Sequence, residues 1–596
     1  MNKMQQTIRT IACLLTLAAA CLASPSQTAA QTAIQTTTAP APHTTTSDAN
    51  SPTQSLPQPS LPQPVSLSDQ IAALLSAPSV SRDHWGILVT TLDGHPIYAL
   101  NEAQLFQPAS TAKLFTTAAA MALMGENKRF TTQVEAEGKI SGGTLHGNLY
   151  LVGGGDANFG GHDLPYLPPA ERAKTITSVS SGVQDIEELA GKLYTSGLRV
   201  VEGDVVGDDS HFVWEPYPPE WALDDLIYGY AAPVSALSMH DNEIEVKVSP
   251  AADPSKYWDR KAVLQTDPDV PYYTIENSVD TSSTGFADDC EKWLGYRREQ
   301  GTKNLLIYGN ITPGESPCTK QIAVADPAEF AAIALKQALE RRGIHISGTA
   351  KAFHALSEPL PSDTVILENS GTAFMMQHIK YAADAQLISC DAQNAGTTQS
   401  NRIVLATHES PPLSEDVAYT LKTSQNLHAE IMLRNLGATF SCQHMQKANI
   451  TVLREFQKHA GIDKDDFVFY DGSGLSGHDL VTPRATARLL SYAAHDPAAH
   501  DSKTGQPQPW FAAWKSSLPI GGIDGTLADR FTQPPLKGHV FAKTGTLGEA
   551  RALAGYLDTA SGQTVIFSIL IGNHLPGSNA DREVMDKIVA AIAAAE

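Results

Sequence analysis

Ser110 and Lys113 stand three residues apart in the stretch Phe106-Gln107-Pro108-Ala109-Ser110-Thr111-Ala112-Lys113-Leu114. Pro108 and Ser110 punctuate a helix start, and the Ala/Leu/Met run that follows propagates it. Residues three apart on a helix share a face. The hydroxyl and the amine therefore lie side by side near the helix N-terminus. A serine hydroxyl becomes an effective nucleophile when a base takes its proton. A lysine desolvated in a cleft loses basicity and can be that base. Backbone N–H groups at the helix start favour a developing oxyanion. Alone, the pair reads as readily as a solvated helix face. Two later segments change this. Ser424-Gln425-Asn426 opens the run Leu427–Arg434, and Lys543-Thr544-Gly545-Thr546 follows Val540-Phe541-Ala542 and precedes a strand-like Leu553–Leu557. The order S-x-x-K, S-x-N, K-T-G offers one cleft a nucleophile, a base, a second hydroxyl, an amide and a second amine.

The elements that must position these groups come from both ends of the chain. Ser68–Leu75 reads as a capped helix, and Trp85–Leu92, Asp93-Gly94 and Ile97–Leu100 read as a β-hairpin with its turn. Toward the C-terminus, residues 541–543, 552–558 and 565–571 read as three antiparallel strands, and 581–594 as a closing helix. Together they describe one α+β domain. From Ser110 to Ser424 is 424 − 110 = 314 residues. A compact domain does not need that length to return to its own cleft, so a large insertion of one or two domains divides it. The insertion is β-rich, with strands expected at 131–136, 149–152 and 200–207 and a helix from Pro327 to Arg342 ending at Gly343.

Lys3 and Arg9 precede a short apolar run from Ile11 to Ala23, the pattern of a signal peptide over residues 1–24. Cleavage contexts occur at Leu22-Ala23-Ser24 and Thr28-Ala29-Ala30, and Cys21 offers a lipoprotein alternative. Residues 25–66, rich in Thr, Pro, Gln, Ser and Ala, read as a disordered linker. No further segment looks like a transmembrane anchor. With 42 Lys+Arg against 64 Asp+Glu, the net charge of −22 argues against nucleic-acid binding. Cys290, Cys318, Cys390 and Cys442 remain for the exported protein and allow three disulfide connectivities. There is no C-x-x-C and no H-E-x-x-H, so the sequence suggests no metal; His211, His240 and His478 read as surface or supporting residues. Gly153-Gly154-Gly155 and Asp471-Gly472-Ser473-Gly474 read as turns, the second shaping the cleft.

The three motifs in this order are the active-site triplet of penicillin-binding proteins and serine β-lactamases. With Gly203–Ser210, Tyr230–Leu237, Asp471–Ser476 and Leu518–Leu527, the chain resembles the class C low-molecular-mass penicillin-binding proteins, the D-alanyl-D-alanine carboxypeptidase/endopeptidase family, from about Leu67 to the C-terminus. It departs from them at Gln425, where Asp or Asn is common, and in longer stretches around 255–305 and 360–402. The resemblance implies a β-lactamase/DD-peptidase-like domain, an antiparallel sheet flanked by helices, in two parts (67–131 and 411–596). Residues 132–410 would be inserted, with a second insert nested at roughly 245–350. It implies that Ser110 attacks the bond after a D-alanine of a peptidoglycan stem peptide, with Lys113 as base. Ser424 relays a proton to the leaving amine, and Asn426 holds Lys113 and the substrate amide. Lys543 and Thr544 meet the substrate carboxylate, and Gly545 lets the substrate lie along the strand edge. The N–H groups of Ser110 and Thr546 form the oxyanion hole. Trp221, Asp224 and Asp225 approach the cleft and can bind an amine of the substrate. The resemblance further implies a periplasmic enzyme without cofactor, inhibited covalently by β-lactams. The alternatives are a β-lactamase of the same superfamily and a non-catalytic wall-binding scaffold. Neither the group that activates the deacylating water nor the oligomeric state follows from the residues.

Overall fold

The computed structural model describes residues 66–162, 164–168, 171–172, 182–251, 261–282, 293–299, 301–356, 401–441, 446–494 and 508–596. The signal peptide, the linker up to residue 65, Cys21, Cys290, Cys390 and Cys442 lie outside the described residues. Cys318 is disulfide-bonded. The first helix, α1 (Leu67–Leu75), is capped by Ser66, whose hydroxyl accepts the Asp69 N–H. Strands β1 (His84–Thr91) and β2 (Pro96–Leu100) pair antiparallel around the Asp93-Gly94 turn. A 3₁₀ turn over Ala109–Thr111 leads into α2 (Ala112–Met124), which Gly125 ends with φ 84°.

The chain then leaves this domain. Strands β3 (Thr131–Ser141) and β4 (Thr144–Gly153) form a hairpin, followed by α3 (Gln184–Thr195), β5 (Val200–Val201) and β6 (Val205–Val213). Residues 200–207, which read as one strand, are two. β5 and β6 pair with different parts of β4, and Gly203 between them lies so close to Gly147 that a Cβ would meet its carbonyl oxygen at 2.5 Å. Next come β7 (Glu243–Ser249), β8 (Val263–Asp267), β9 (Thr274–Thr281), β10 (Leu294–Arg298), β11 (Asn304–Ile311) and β12 (Cys318–Ala323). They form two three-stranded sheets, ordered β12-β7-β8 and β10-β11-β9, around Val246, Val279, Leu305, Ile307 and Ile322. Helix α4 (Pro327–Arg341), capped by Asp326, then β13 (His345–Ile346), β14 (Ala350–Ala355) and β15 (Ile403–Glu409) rejoin a seven-stranded sheet ordered β13-β5-β4-β3-β15, with β6 joining β4 to β14. Strands β7–β12 occupy the stretch where a nested segment was expected, at about 245–350. The α4 residues Ala328, Ala331, Leu335, Ala338 and Leu339 recur at helical spacing and bury themselves in the larger sheet's core, not the smaller one.

The return begins with α5 (Leu413–Thr423), α6 (Asn426–Phe440) and α7 (Gln446–His459), continues through β16 (Phe467–Val468), β17 (Leu480–Val481), α8 (Pro483–Ala494) and α9 (Phe511–Ser517), and ends in β18 (Val540–Leu547), β19 (Ala550–Asp558), β20 (Thr564–Gly572) and α10 (Ala580–Ala595). A five-stranded antiparallel sheet, β18-β19-β20-β1-β2, joins the two ends of the chain. Its strands sort their side chains by the two-residue period. Trp85, Ile87, Val89, Leu553, Leu557, Phe567 and Ile569 face a core completed by Ile71 of α1 and Val584, Ile588 and Ile592 of α10. Leu88, Ala552, Ala554, Tyr556, Ile566 and Leu570 face the helical side with α2, α6 and α8. No helix among the described residues is long and apolar enough to cross a membrane.

Candidate active site

Ser110 sits in the 3₁₀ turn that opens α2, directly after Ala109, whose φ of 45° is left-handed. A non-glycine residue held there costs about 1–2 kcal/mol. The surroundings hold it: Thr111 Oγ1 donates to Pro108 O at 2.7 Å, and Gly474 presses so close that a Cβ would meet Ala109 O at 1.9 Å. One helical turn on, Lys113 is fully buried (0% exposed). Its Nζ lies 2.9 Å from Ser110 Oγ, 2.6 Å from Asn426 Oδ1 and 2.7 Å from Ser473 O. Burial pushes its pKa down to about 7, against the opposing pull of the Asp471 and Glu430 carboxyls.

The second motif lies at the break between α5 and α6. Ser424 caps α5 with φ 65°, and the side chain of Gln425 caps α6 by accepting the Leu427 N–H. Asn426 spans the cleft: its Oδ1 accepts from Lys113, and its Nδ2 donates to Tyr230 O at 2.8 Å. Lys543, on β18, is also fully buried. Its Nζ donates to Ser424 Oγ at 2.9 Å and to Thr544 O at 2.8 Å. Burial, and then the charge of Lys113, hold its pKa well below the usual lysine range. β18 is an edge strand. The 519–521 segment pairs with its first half through Gly521 N to Val540 O and Ala542 N to Pro519 O. Among the described residues, no strand pairs with the outer edge of Lys543–Leu547. A ligand backbone can add there.

A cavity of about 430 Å³ is lined by Ser110, Ser424, Asn426, Thr546, Asp225 and Tyr230, together with Gly474, Leu475, Leu547 and Gly548. It thus brings residues from all three motifs together with Asp225 from the inserted segment. Asp225 accepts the Tyr230 hydroxyl at 2.5 Å. The other two inserted residues singled out in the sequence do not line the cavity. Asp224 is exposed. Trp221 is buried, 7% exposed, and its indole N–H donates to Asp471 at 2.9 Å. It braces the turn beside the cleft. Thr544 is hydrogen-bonded to Thr526 at 2.8 Å. Gly545 carries a further requirement beyond a substrate's approach: a Cβ there would lie 2.8 Å from Pro108 O and 3.1 Å from Ser110 N. The missing side chain lets β18 press against the turn that holds Ser110.

The sequence reading missed the support beneath Lys113. Glu430 accepts the N–H groups of Gly472 and Ser473 at 2.9 and 2.8 Å, holding the turn whose Ser473 carbonyl binds Lys113. Burial and the neighbouring Asp471 push the Glu430 pKa up to about 8. Asp471 accepts from Trp221, Gly474 N and Ser476 N. A signal for Glu430 was present: Asn426, Glu430 and Arg434 are polar residues four apart along a helix that is otherwise largely apolar.

The sequence pattern of the D-Ala-D-Ala carboxypeptidase 3 (S13) family matches residues 67–370 and 372–595. The chain is 28% identical to the D-alanyl-D-alanine carboxypeptidase of Actinomadura sp. (strain R39) over 522 residues, covering 85% of this chain and 81% of that protein. It is 24% identical to the penicillin-sensitive carboxypeptidase A of Dictyostelium discoideum, covering 85% of this chain and 86% of that one. Its fold is similar to the crystal structure of penicillin binding protein 4 (dacB) from Haemophilus influenzae, with a TM-score of 0.65 at 20% identity over 88% of this chain and 98% of that chain.

Proposed function

Since this chain belongs to the D-Ala-D-Ala carboxypeptidase 3 (S13) family, we propose that it hydrolyses D-Ala-D-Ala and D-Ala-diaminopimelate bonds of peptidoglycan stem peptides through a serine ester, and that β-lactams acylate the same serine. One observation carries the reading: Ser110 Oγ lies 2.9 Å from a buried Lys113 amine whose pKa is about 7, so the amine is largely neutral at slightly alkaline pH. In the first step the Ser110 proton passes to Lys113 Nζ while Oγ bonds to the scissile carbonyl carbon. The N–H groups of Ser110 and Thr546 receive the oxyanion. The tetrahedral adduct collapses as the C–N bond breaks, and the proton taken up by Lys113 passes through the Ser424 hydroxyl, which Lys543 holds by a hydrogen bond, to the leaving amine. Water then cleaves the ester and releases the shortened peptide. A terminal carboxylate of the substrate, arriving beside Lys543 and Thr544, favours the protonated form of Lys543 that burial alone disfavours.

Asp225 is the carboxylate of the cavity rim, and we assign it to a free amine on the substrate side chain, with Tyr230 fixing its direction. The charged start and short apolar run of the N-terminus support export to the periplasm, where such substrates occur. The test is direct. The purified protein should take up one fluorescent penicillin per chain and convert purified muropeptides to products lacking the terminal D-alanine or the cross-link, identified by mass. Ser110→Ala, folded as judged by its unfolding transition, should do neither. Rapid turnover of a chromogenic cephalosporin would instead indicate a β-lactamase, and absence of labelling a non-catalytic scaffold.

A further inference from the structure

Behind α6, on the side away from Lys113, three side chains converge that do not line the cleft. Asp241 Oδ1 lies 2.9 Å from His162 Nε2 and 2.9 Å from His428 Nε2. One donor atom from each residue lies within 4.8 Å of the other two. The side chains are nearly closed to solvent, with exposures of 11% for His162, 9% for Asp241 and 0% for His428. Each imidazole is presented in a way that suits a cation. His428 Nδ1 lies 2.5 Å from Asp416 Oδ1 on α5. With Asp416 holding the proton on Nδ1, His428 can give up the Nε2 proton that bonds Asp241 and turn that nitrogen to a metal, the arrangement of metal-bound histidines. His162 Nε2 is buried without a hydrogen bond of acceptable geometry, although it faces the same oxygen. The ring of Tyr419 packs on both imidazoles, at 4.7 and 5.0 Å between centroids, and gives the cluster an apolar wall.

Backbone strain is concentrated at the carboxylate. His240, Asp241 and Asn242 take φ values of 51°, 53° and 55°, three successive left-handed residues without a glycine. Such a turn is costly. It is held by Asn242, which donates to Pro233 O at 2.8 Å and Ser238 Oγ at 3.0 Å. Its outcome is to aim Asp241 between the two rings. Asp241 and Asp416 are two buried carboxylates flanking the His428 ring. One divalent ion would balance both.

We propose that His162, Asp241 and His428 form a binding site for a divalent ion of the zinc class. Two imidazoles and one carboxylate are a zinc-type donor set, whereas calcium and magnesium favour sites made of oxygen. At bond lengths of about 2.0–2.1 Å, tetrahedral donors stand about 3.3 Å apart. The present separations of 2.9 Å thus need only a few tenths of an ångström of expansion. The ion's role is structural. It fastens the N-terminal turn of α6 to two segments of the insertion, and Gln425 Nε2, donating to Asp241 Oδ2 at 2.8 Å, links the same carboxylate to the S-x-N motif.

The test uses the full chain without a polyhistidine tag, stripped with a chelator and titrated with Zn²⁺. One zinc per chain should remain after gel filtration, and saturating zinc should raise the unfolding midpoint by at least about 3 °C. Co²⁺ should give the visible absorption of a tetrahedral site. His162→Gln removes the most exposed of the three ligands and should lose both the retained zinc and the shift, while its metal-free unfolding midpoint matches that of the metal-free parent. Failure of the parent to retain zinc at micromolar free concentration would overturn the proposal and leave a protonated ion cluster. Equal retention by His162→Gln would also overturn it, moving the metal to another set such as Asp185, Glu188 and His408.

Discussion

Dryness, more than any single partner, sets the chemistry of Lys113. In water an alkylammonium stays protonated well past neutrality, but burial lowers this one to about 7. The neutral form is the base, so the rate of penicillin acylation should rise with pH through about 7 and level off above it. A flat profile from pH 5 to 9 would remove Lys113 from that role. Lys113→Ala should slow acylation by about 10²–10⁴-fold, the usual reach of general acid–base catalysis, measured by single-turnover labelling. Each motif was readable locally, on its own helix or strand, and the resemblance to the penicillin-binding-protein triplet joined Ser110, Lys113, Ser424, Asn426 and Lys543 into one constellation. The turn at Asp471–Gly474 and the polar spacing that includes Glu430 were readable, but that both carboxyls hold backbone N–H groups of that turn was not, because the sequence does not show how α6 packs on it. The hydrogen bond from Trp221 to Asp471 could not be read either, since the two are 250 residues apart.

Among the elements, β18 does most to shape the cleft. Its outer edge offers a ladder for an extended peptide, while Gly545 lets it press on the Ser110 turn. Gly545→Ala should force the two apart, at a cost of about 1–3 kcal/mol typical of overpacking. Acylation should slow by at least about tenfold, equivalent to about 1.4 kcal/mol. An unchanged acylation rate would show that the strand and the turn yield without consequence. The hairpin β1–β2, the last three strands and the helices α1, α2, α4 and α10 could be anticipated from periodicity, caps and the Asp-Gly turn. The break between β5 and β6 falls at Glu202-Gly203-Asp204, a polar run between two Val-Val pairs that signals a turn, and the two halves pair with different parts of β4.

At the scale of the whole molecule, the insertion helps to build the cleft. It supplies Asp225 and Tyr230 to the cavity, the Tyr230 carbonyl to Asn426, and Trp221 to the Asp471 turn. These contacts have separable consequences. Trp221→Phe removes a buried hydrogen bond to a carboxylate and should lower stability by about 1.5–3 kcal/mol in denaturant unfolding, with no preference among substrates. Asp225→Asn should leave penicillin acylation nearly unchanged but lower kcat/KM for diaminopimelate-bearing peptides by about tenfold, or roughly 1.4 kcal/mol. Equal losses on both ligands would mark Asp225 as structural. That a large segment intervenes was readable from the 314 residues between Ser110 and Ser424. Where its smaller sheets end was not, because α4 belongs to a core assembled from strands on either side of it. The five-stranded sheet also sets an order in time. β1 pairs with β20 along its whole length, residues 84–91 with 565–572. A ribosome that has just made Ser110 must add 543 − 110 = 433 more residues before Lys543 exists, and more still before the strand that completes the sheet. Pairing over such sequence distance is slow. A nascent chain therefore carries its serine unarmed throughout synthesis, and a chain threaded across a membrane as it is made would close its catalytic sheet only on the far side.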